Sequence, residues 1–417
     1  MSTTITTTPD YRRYFPQLEG MRAVAAVGVL TTHVAFQTRA LEWPVLGPIL
    51  GRLDLAVALF FALSGFLLWR PYAAAARHGG VRAPAPGRYL RHRFMRIWPA
   101  YTVAVIAVFT LLPQARGASL EVWLANLTLT QVYFPLTLAP GLTQMWSLSV
   151  EVAFYLMLPL IGYGMLLLRG DRARLRIPLL TALGLVSLGW AWMVTSLHLP
   201  EGVEGKNWVF GHLPWFLAGL ILAELRAVVE LTESPSASAV RSYRWSANRP
   251  LMFAVAGISY GLACTPLAGP VGMGDLDNAQ YVGKMVLGAI AAYAILAPLV
   301  CSDGPFRFLN SGPMTAMGRW SYAIFIWHLP VLTCVFGLFG ITPFDGRFVL
   351  VWVLTVVLTL GVSAASYAFV EDPCRRWLAN WERRRSPHPA FSVPVSGVGE
   401  AETAAAVSAG HPHRGDR

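Results

Sequence analysis

The chain of 417 residues is poor in charge, since charged residues make up only 13% of it. Soluble domains carry about a quarter charged residues, so this composition excludes an ordinary water-soluble fold. Lysine is nearly absent, with Lys206 and Lys284 only, and the four cysteines form no CxxC or other metal spacing. The number and spacing of the cysteines therefore argue against a disulfide framework and against a cysteine-based metal centre.

Apolar residues are abundant instead, at 55% of the chain, and they fall in long runs. A membrane-spanning helix needs about 20 such residues. The runs predict an all-α fold, a polytopic transmembrane bundle of about ten helices. The predicted spans are 20–37, 53–74, 95–113, 144–168, 177–197, 211–230, 251–268, 281–301, 316–340 and 348–370.

The net charge of +11 comes from arginines that stand between the apolar runs. Arginine-rich loops alternate with arginine-poor ones, as expected when basic loops stay in the cytosol. This pattern predicts that both termini are cytosolic, and it argues for contact with membrane lipids and against a nucleic-acid partner. We expect a cytosolic segment at 1–17, a transmembrane domain at 18–380, a disordered tail at 381–417 and a disordered inner loop at 234–246.

Four ionisable residues interrupt the apolar runs, which is costly unless they face an interior site. Arg22 and His33 are eleven residues apart, so they share a helix face and differ in height by about 16 Å. Glu151 opens the fourth span and His328 lies near the middle of the ninth. The alternative is structural: Arg22 and His33 extend to the two membrane surfaces, while Glu151 and His328 bond to neighbouring helices.

Arg93 and Arg96 share a helix face at the inner end of the third span. Guanidinium groups match the geometry of phosphate oxygens, so this pair is a candidate phosphate site. A topology anchor beside anionic lipid headgroups is the alternative. Ser64, a small residue among bulky ones, either permits close helix packing or binds substrate.

These residues lie in motifs that resemble those of the membrane acyltransferase-3 family, whose members O-acylate bacterial surface polysaccharides, Nod-factor sugars and macrolides. The similarity covers roughly residues 15–380 and follows the family's order. Its motifs are Arg22 with His33, the FFALSGF segment ending at Phe66, Arg93 with Arg96, the WSLSVE segment ending at Glu151, and SYAIFIWH ending at His328. The chain departs from the pattern at Ala58, where many members carry an acid, but Asp54 lies one turn earlier.

The resemblance implies a membrane enzyme that uses acyl-CoA as co-substrate, with no tightly bound cofactor. It implies that His33 is the general base, that Glu151 orients it, and that His328 binds the oxyanion or the acceptor. The remaining candidates are Arg22, Arg93 and Arg96 for the donor phosphates, and Ser64, Trp146, Ser147 and Tyr322 for substrate contacts.

We infer the type of acceptor from the compactness of the chain. In this respect the chain resembles the macrolide-acylating members of the family more than the large polysaccharide-acylating ones. We therefore expect a macrolide-type glycosylated acceptor and a multi-pass location in the inner (plasma) membrane. A cell-envelope polysaccharide or glycolipid is the alternative acceptor. A secondary transporter or flippase is the rival class, although the chain has no strong internal repeat.

Overall fold

A computed structural model of the chain describes residues 13–272 and 274–385 and shows an all-helical bundle, with no strand in those ranges. Each of the ten predicted spans corresponds to a helix. We number these helices α1 (Pro16–Gln37), α2 (Ala56–Ala75), α3 (Pro86–Leu111), α4 (Trp146–Met165), α5 (Arg176–Ser187, followed by Trp190–Ser196), α6 (Val209–Leu231), α7 (Arg249–Ala263), α8 (Asn278–Cys301), α9 (Ser321–Leu338) and α10 (Phe348–Ser366).

Length and hydropathy identify eight candidate membrane spans within the described part of the chain. The two predicted spans outside this set are α1 and α7. In α1 the apolar run is interrupted by Arg22 and His33, and α7 has only 15 residues. The chain is a multi-pass membrane protein, and α1 falls short of the hydropathy criterion because it carries two of the candidate functional residues.

The serine-rich inner loop was predicted to be disordered, and this prediction is wrong. Residues Ala237–Ala247 form a helix whose N-cap, Ser236, accepts a hydrogen bond from the backbone N–H of Ala239 at 3.3 Å. At its other end the Ser246 hydroxyl bonds the Tyr293 hydroxyl on α8 at 2.8 Å. Capping and a tertiary contact therefore order a segment whose composition alone favours disorder.

The closest helix packing joins α2 to α6 through glycine. A Cβ atom placed on Gly219 would collide with the backbone of α2 at Ala62, and one on Gly65 would collide with the backbone of α6 at Phe216. Small residues allow such an approach between membrane helices. Beside them the Phe216 ring stacks on Phe61, with ring centroids 4.3 Å apart. Of this pair of helices, α2 also lines the arginine cavity described below.

A buried ion cluster joins the end of α2, the start of α5 and the C-terminal half of α6. The Glu224 carboxylate lies 2.5 Å from the Arg77 guanidinium and 2.6 Å from that of Arg176, and it accepts a 2.6 Å bond from the Trp69 indole N–H. Glu224 is fully buried. A charge at that depth is tolerated because Trp69 and Arg176 donate hydrogen bonds to it and Arg77 lies beside it as a counter-ion.

The chain continues beyond α10 as a single π-helical turn, Tyr367–Glu371, and a C-terminal helix, Asp372–Arg385. The first five residues of the predicted tail, 381–385, therefore belong to a helix, and the rest of that tail lies outside the described residues. In the predicted N-terminal segment residues 1–12 also lie outside them, and α1 already begins at Pro16.

Candidate functional site

Two histidines from distant parts of the sequence meet between α1 and α9. The rings of His33 and His328 have centroids 5.0 Å apart, and His328 Nε2 lies 3.3 Å from His33 Nδ1. Close backbone approaches hold the start of α1 in place, since a Cβ on Gly20 would collide with Leu309 and one on Gly318 would collide with Glu19.

Backbone carbonyls set the tautomers of the two imidazoles. His33 Nδ1 lies 2.8 Å from the Val29 carbonyl oxygen, and His328 Nδ1 lies 2.7 Å from that of Phe325. A carbonyl oxygen only accepts, so each Nδ1 carries the proton. His328 Nε2 is then the acceptor facing His33. The Nε2 lone pair of His33 is left available to take a proton, which is the state that a general base requires.

A second group of predicted residues surrounds a small cavity of about 50 Å³ between α1, α2, α3, α4 and α9. Its polar lining combines two guanidiniums with one carboxylate. Arg22 interacts electrostatically with Arg96 and Glu151 across it. The predicted residues in its wall are Arg22, Ser64, Arg96, Ser147, Glu151 and Tyr322.

Glu151 has partners other than the predicted imidazole. Its Oε1 accepts hydrogen bonds from the Ser64 hydroxyl and the Tyr155 hydroxyl, each at 2.5 Å. No bond joins it to either histidine in the described structure. The carboxylate therefore belongs with the arginine cavity, while His328 takes the orienting place beside His33. Tyr155 had not been singled out from the sequence, although it lies one turn after Glu151 on the same helix face.

An aromatic partition separates the arginine cavity from the histidine pair. Phe60 and Phe325 line the cavity, and their ring centroids are 6.2 Å apart. On its other side, the Phe325 ring lies 5.8 Å from the His328 ring. The histidines are thus immediately behind this apolar layer, and the bundle has two polar compartments stacked along its axis.

The two arginines of the RxxR pair serve different compartments. Arg96 lines the cavity with Arg22, whereas Arg93 lines a groove of about 560 Å³ that we call the basic groove. Tyr155 stands between them, since it lines the cavity and its ring lies 5.8 Å from the Arg93 guanidinium carbon. The basic groove is bordered by the end of α2, the 82–85 loop and the start of α3.

The remaining residues predicted to contact substrate fall into two groups, those in the cavity wall and one outside it. The Tyr322 hydroxyl, in the cavity wall, donates to the Ile97 carbonyl oxygen at 2.8 Å. Ser147 donates to the Gln144 carbonyl oxygen at 3.2 Å. Trp146 is not part of the cavity wall, and its ring lies 5.1 Å from the ring of His212. The structure therefore separates Trp146 from the other substrate-contact candidates.

An ion pair missed by sequence reasoning lies near the histidines. Asp54 pairs with Lys284 on α8 at 2.6 Å, and it interacts electrostatically with His33. The Thr32 hydroxyl donates to the Gly51 carbonyl oxygen at 2.9 Å, which fixes α1 against the segment that carries Asp54. Lys284 and Asp54 are 230 positions apart, so no local sequence pattern predicts that they pair.

The structure brings the histidine pair and the arginine cavity into one bundle, and comparison with known proteins decides the family. A family model described as an acyltransferase domain matches residues 15–368. The chain belongs to the acyltransferase-3 family. Membership in this family favours an enzyme over the rival transporter or flippase.

Characterised bacterial proteins resemble this acyltransferase-3 chain over most of its length. The O-acetyltransferase OatA of Staphylococcus aureus is 27% identical over 383 residues, which cover 87% of this chain and 58% of OatA. YrhL of Bacillus subtilis, provisionally named a peptidoglycan O-acetyltransferase, is 27% identical over 399 residues, covering 88% of this chain and 56% of YrhL. The chain thus spans somewhat more than half the length of these relatives. No solved structure matches it significantly.

Proposed function

We propose that this protein is a membrane O-acyltransferase that moves an acyl group, with acetyl favoured, from acyl-CoA to a hydroxyl group of a cell-envelope glycan. The names of OatA and YrhL support O-acetylation and, for YrhL, a peptidoglycan acceptor. A cell-envelope acceptor therefore replaces the macrolide-type acceptor that the sequence favoured. The plasma membrane is the corresponding location.

The histidine pair carries this proposal. His33 Nε2 takes the proton of the acceptor hydroxyl while the hydroxyl oxygen attacks the carbonyl carbon of the thioester. The carbon–sulfur bond then breaks, and the proton passes to the departing thiolate, so the products are an ester and free CoA. His328 is a positioning residue, because its Nε2 accepts from His33 Nδ1 and keeps the reactive nitrogen directed away from it.

The arginine cavity supplies the donor side of the reaction. Arg22 and Arg96 are half-buried cations that line the cavity with the Glu151 carboxylate, so the cavity favours a polar, electron-rich group of the donor. Arg93 faces the basic groove, where the donor's phosphates would lie. On this arrangement the thioester, still bonded to the donor's pantetheine arm, passes the Phe60–Phe325 partition to reach His33.

Replacing His33 tests the proposal directly. In purified protein reconstituted in lipid nanodiscs, His33→Ala should lower thiol release from acetyl-CoA by about a hundredfold or more, because a general base contributes 10²–10⁴-fold. His198→Asn is the matched control, since His198 is an exposed loop histidine with φ of 45°, a conformation that asparagine tolerates. A folded His33→Ala protein with unchanged thiol release would refute the proposal.

The acceptor is tested in cells. Mass spectrometry of glycan fragments from cells with and without the gene should show an acetyl mass difference on the sugar. A difference confined to a small-molecule glycoside would favour the macrolide-type acceptor over the envelope glycan.

A further inference from the structure

The basic groove is an anion-binding surface by composition. Four arginines and a histidine line it, and no acidic residue occurs among the wall residues that the structure describes. The like charges of its wall repel each other unless a negative ligand or counter-ion lies between them. The basic residues of the wall are Arg70, Arg82, Arg88, His92 and Arg93.

Two polar groups of the groove have no protein partner. The Tyr89 hydroxyl is buried and makes no hydrogen bond, although the tyrosine is only 8% exposed. Arg93 Nε is buried and unbonded as well. A buried donor without an acceptor costs about 1–3 kcal/mol. Both groups can donate, so a ligand with several acceptor oxygens would satisfy them.

One acidic side chain does reach these cations, but it comes from the C-terminal helix. The Glu382 carboxylate lies 3.0 Å from Arg88 Nη2 and 3.1 Å from His92 Nε2, and Arg91 Nη2 is 3.6 Å away. Glu382 is not part of the groove wall, yet it occupies two of the wall's cations. A single carboxylate carries less charge and fewer acceptor oxygens than a phosphate dianion, so phosphate competes with it well.

We propose that Glu382 is a counter-ion of the basic groove, and that the phosphates of the donor displace it from Arg88 and His92 when they bind there. This inference rests on the proposed function, because that function supplies acyl-CoA as donor. Arg93 then joins the two parts of the donor, since it lines the groove while its neighbour Arg96 lines the cavity.

Binding of adenosine 3′,5′-bisphosphate, which carries phosphates and no thioester, tests the groove without requiring turnover. Titration calorimetry on protein in neutral nanodiscs should show that Glu382→Gln tightens binding about threefold to tenfold, because the competing charge is gone. Arg88→Gln should weaken binding about tenfold, the effect expected for loss of a charged hydrogen bond.

The matched control lies on the same helix. Asp372→Asn removes one negative charge whose partner is Arg376, four residues along, and not a groove residue. It should leave bisphosphate binding unchanged. Thermal unfolding of each variant in the same nanodiscs shows whether the C-terminal helix stays in place.

Turnover gives a second measurement. Glu382→Gln should lower the KM for acetyl-CoA and leave the KM for acetyl-pantetheine unchanged, since the latter has the same thioester and no phosphate. A merely structural role for Glu382 would move both constants together.

The outcomes separate this inference from the proposed function. Weaker or unchanged bisphosphate binding by folded Glu382→Gln overturns the counter-ion, and unchanged binding by Arg88→Gln overturns the groove, even if thiol release persists. Bisphosphate binding that follows the expected order in a protein that releases no thiol would support the groove and contradict the proposed function.

Discussion

At the residue scale, the geometry of His328 defines its role more narrowly than the sequence did. The resemblance implied contact with the oxyanion or the acceptor, whereas the structure places its Nε2 against His33 Nδ1 at 3.3 Å. Its own Nδ1 is bonded to the Phe325 carbonyl oxygen at 2.7 Å. A ring fixed at both nitrogens is suited to hold a neighbour and not to move protons itself.

Substituting His328 distinguishes orientation from simple packing. His328→Leu should reduce kcat about tenfold or more, because the Nδ1 proton of His33 keeps the Val29 carbonyl oxygen as an acceptor but loses His328 Nε2, which helps to orient the ring. His328→Gln keeps an acceptor oxygen in reach and should restore part of that loss. The measurement is thiol release from acetyl-CoA by the two folded variants. Equal rates for the leucine and glutamine proteins would contradict a positioning role.

Glu151 shows what a single sequence cannot supply. Its depth in the membrane indicated that it would be paired, neutral or functional, whereas its hydrogen-bond partners, Ser64 and Tyr155, were assigned by the fold. Any of several buried polar groups satisfies the same requirement, so the requirement does not select one. The one partner that the sequence could have suggested is Tyr155, because it lies one helical turn after Glu151 on the same helix.

At the element scale, the apolar runs predicted the helices well because each run is long enough to satisfy its own backbone within the bilayer. The serine-rich segment was mispredicted for the opposite reason. Its helix Ala237–Ala247 depends on the contact of Ser246 with Tyr293, 47 residues away, which composition does not encode. Sequence patterns therefore predict the membrane-spanning helices well, and they fail for a segment whose helix depends on a tertiary contact.

The α2–α6 contact offers a test of packing. Gly219→Val should destabilise the fold by about 1–3 kcal/mol or disrupt it, because the new side chain would collide with the α2 backbone at Ala62. Gly257→Val on α7 is the control, since a Cβ there meets nothing within 4 Å. Thermal unfolding followed by size-exclusion chromatography in detergent compares them. Equal melting temperatures would show that the helices can separate at no cost.

At the scale of the whole molecule, the alternation of arginine-rich loops predicts that both termini face the cytosol. An epitope tag at the C-terminus should be detected only after spheroplasts are permeabilised. The same tag inserted after Glu201, in the loop between α5 and α6, should be detected in intact spheroplasts. A C-terminal tag accessible from outside would reverse the orientation and place the basic groove away from cytosolic acyl-CoA.

The aromatic partition has a consequence for the cell that houses this protein. The rings of Phe60 and Phe325 stand between the arginine cavity and the histidine pair. Ions are strongly disfavoured in such an apolar layer, while a neutral thioester is not. Under the proposed function, only the uncharged arm of the donor enters this layer, so acyl transfer is compatible with the electrochemical gradient that the same membrane maintains.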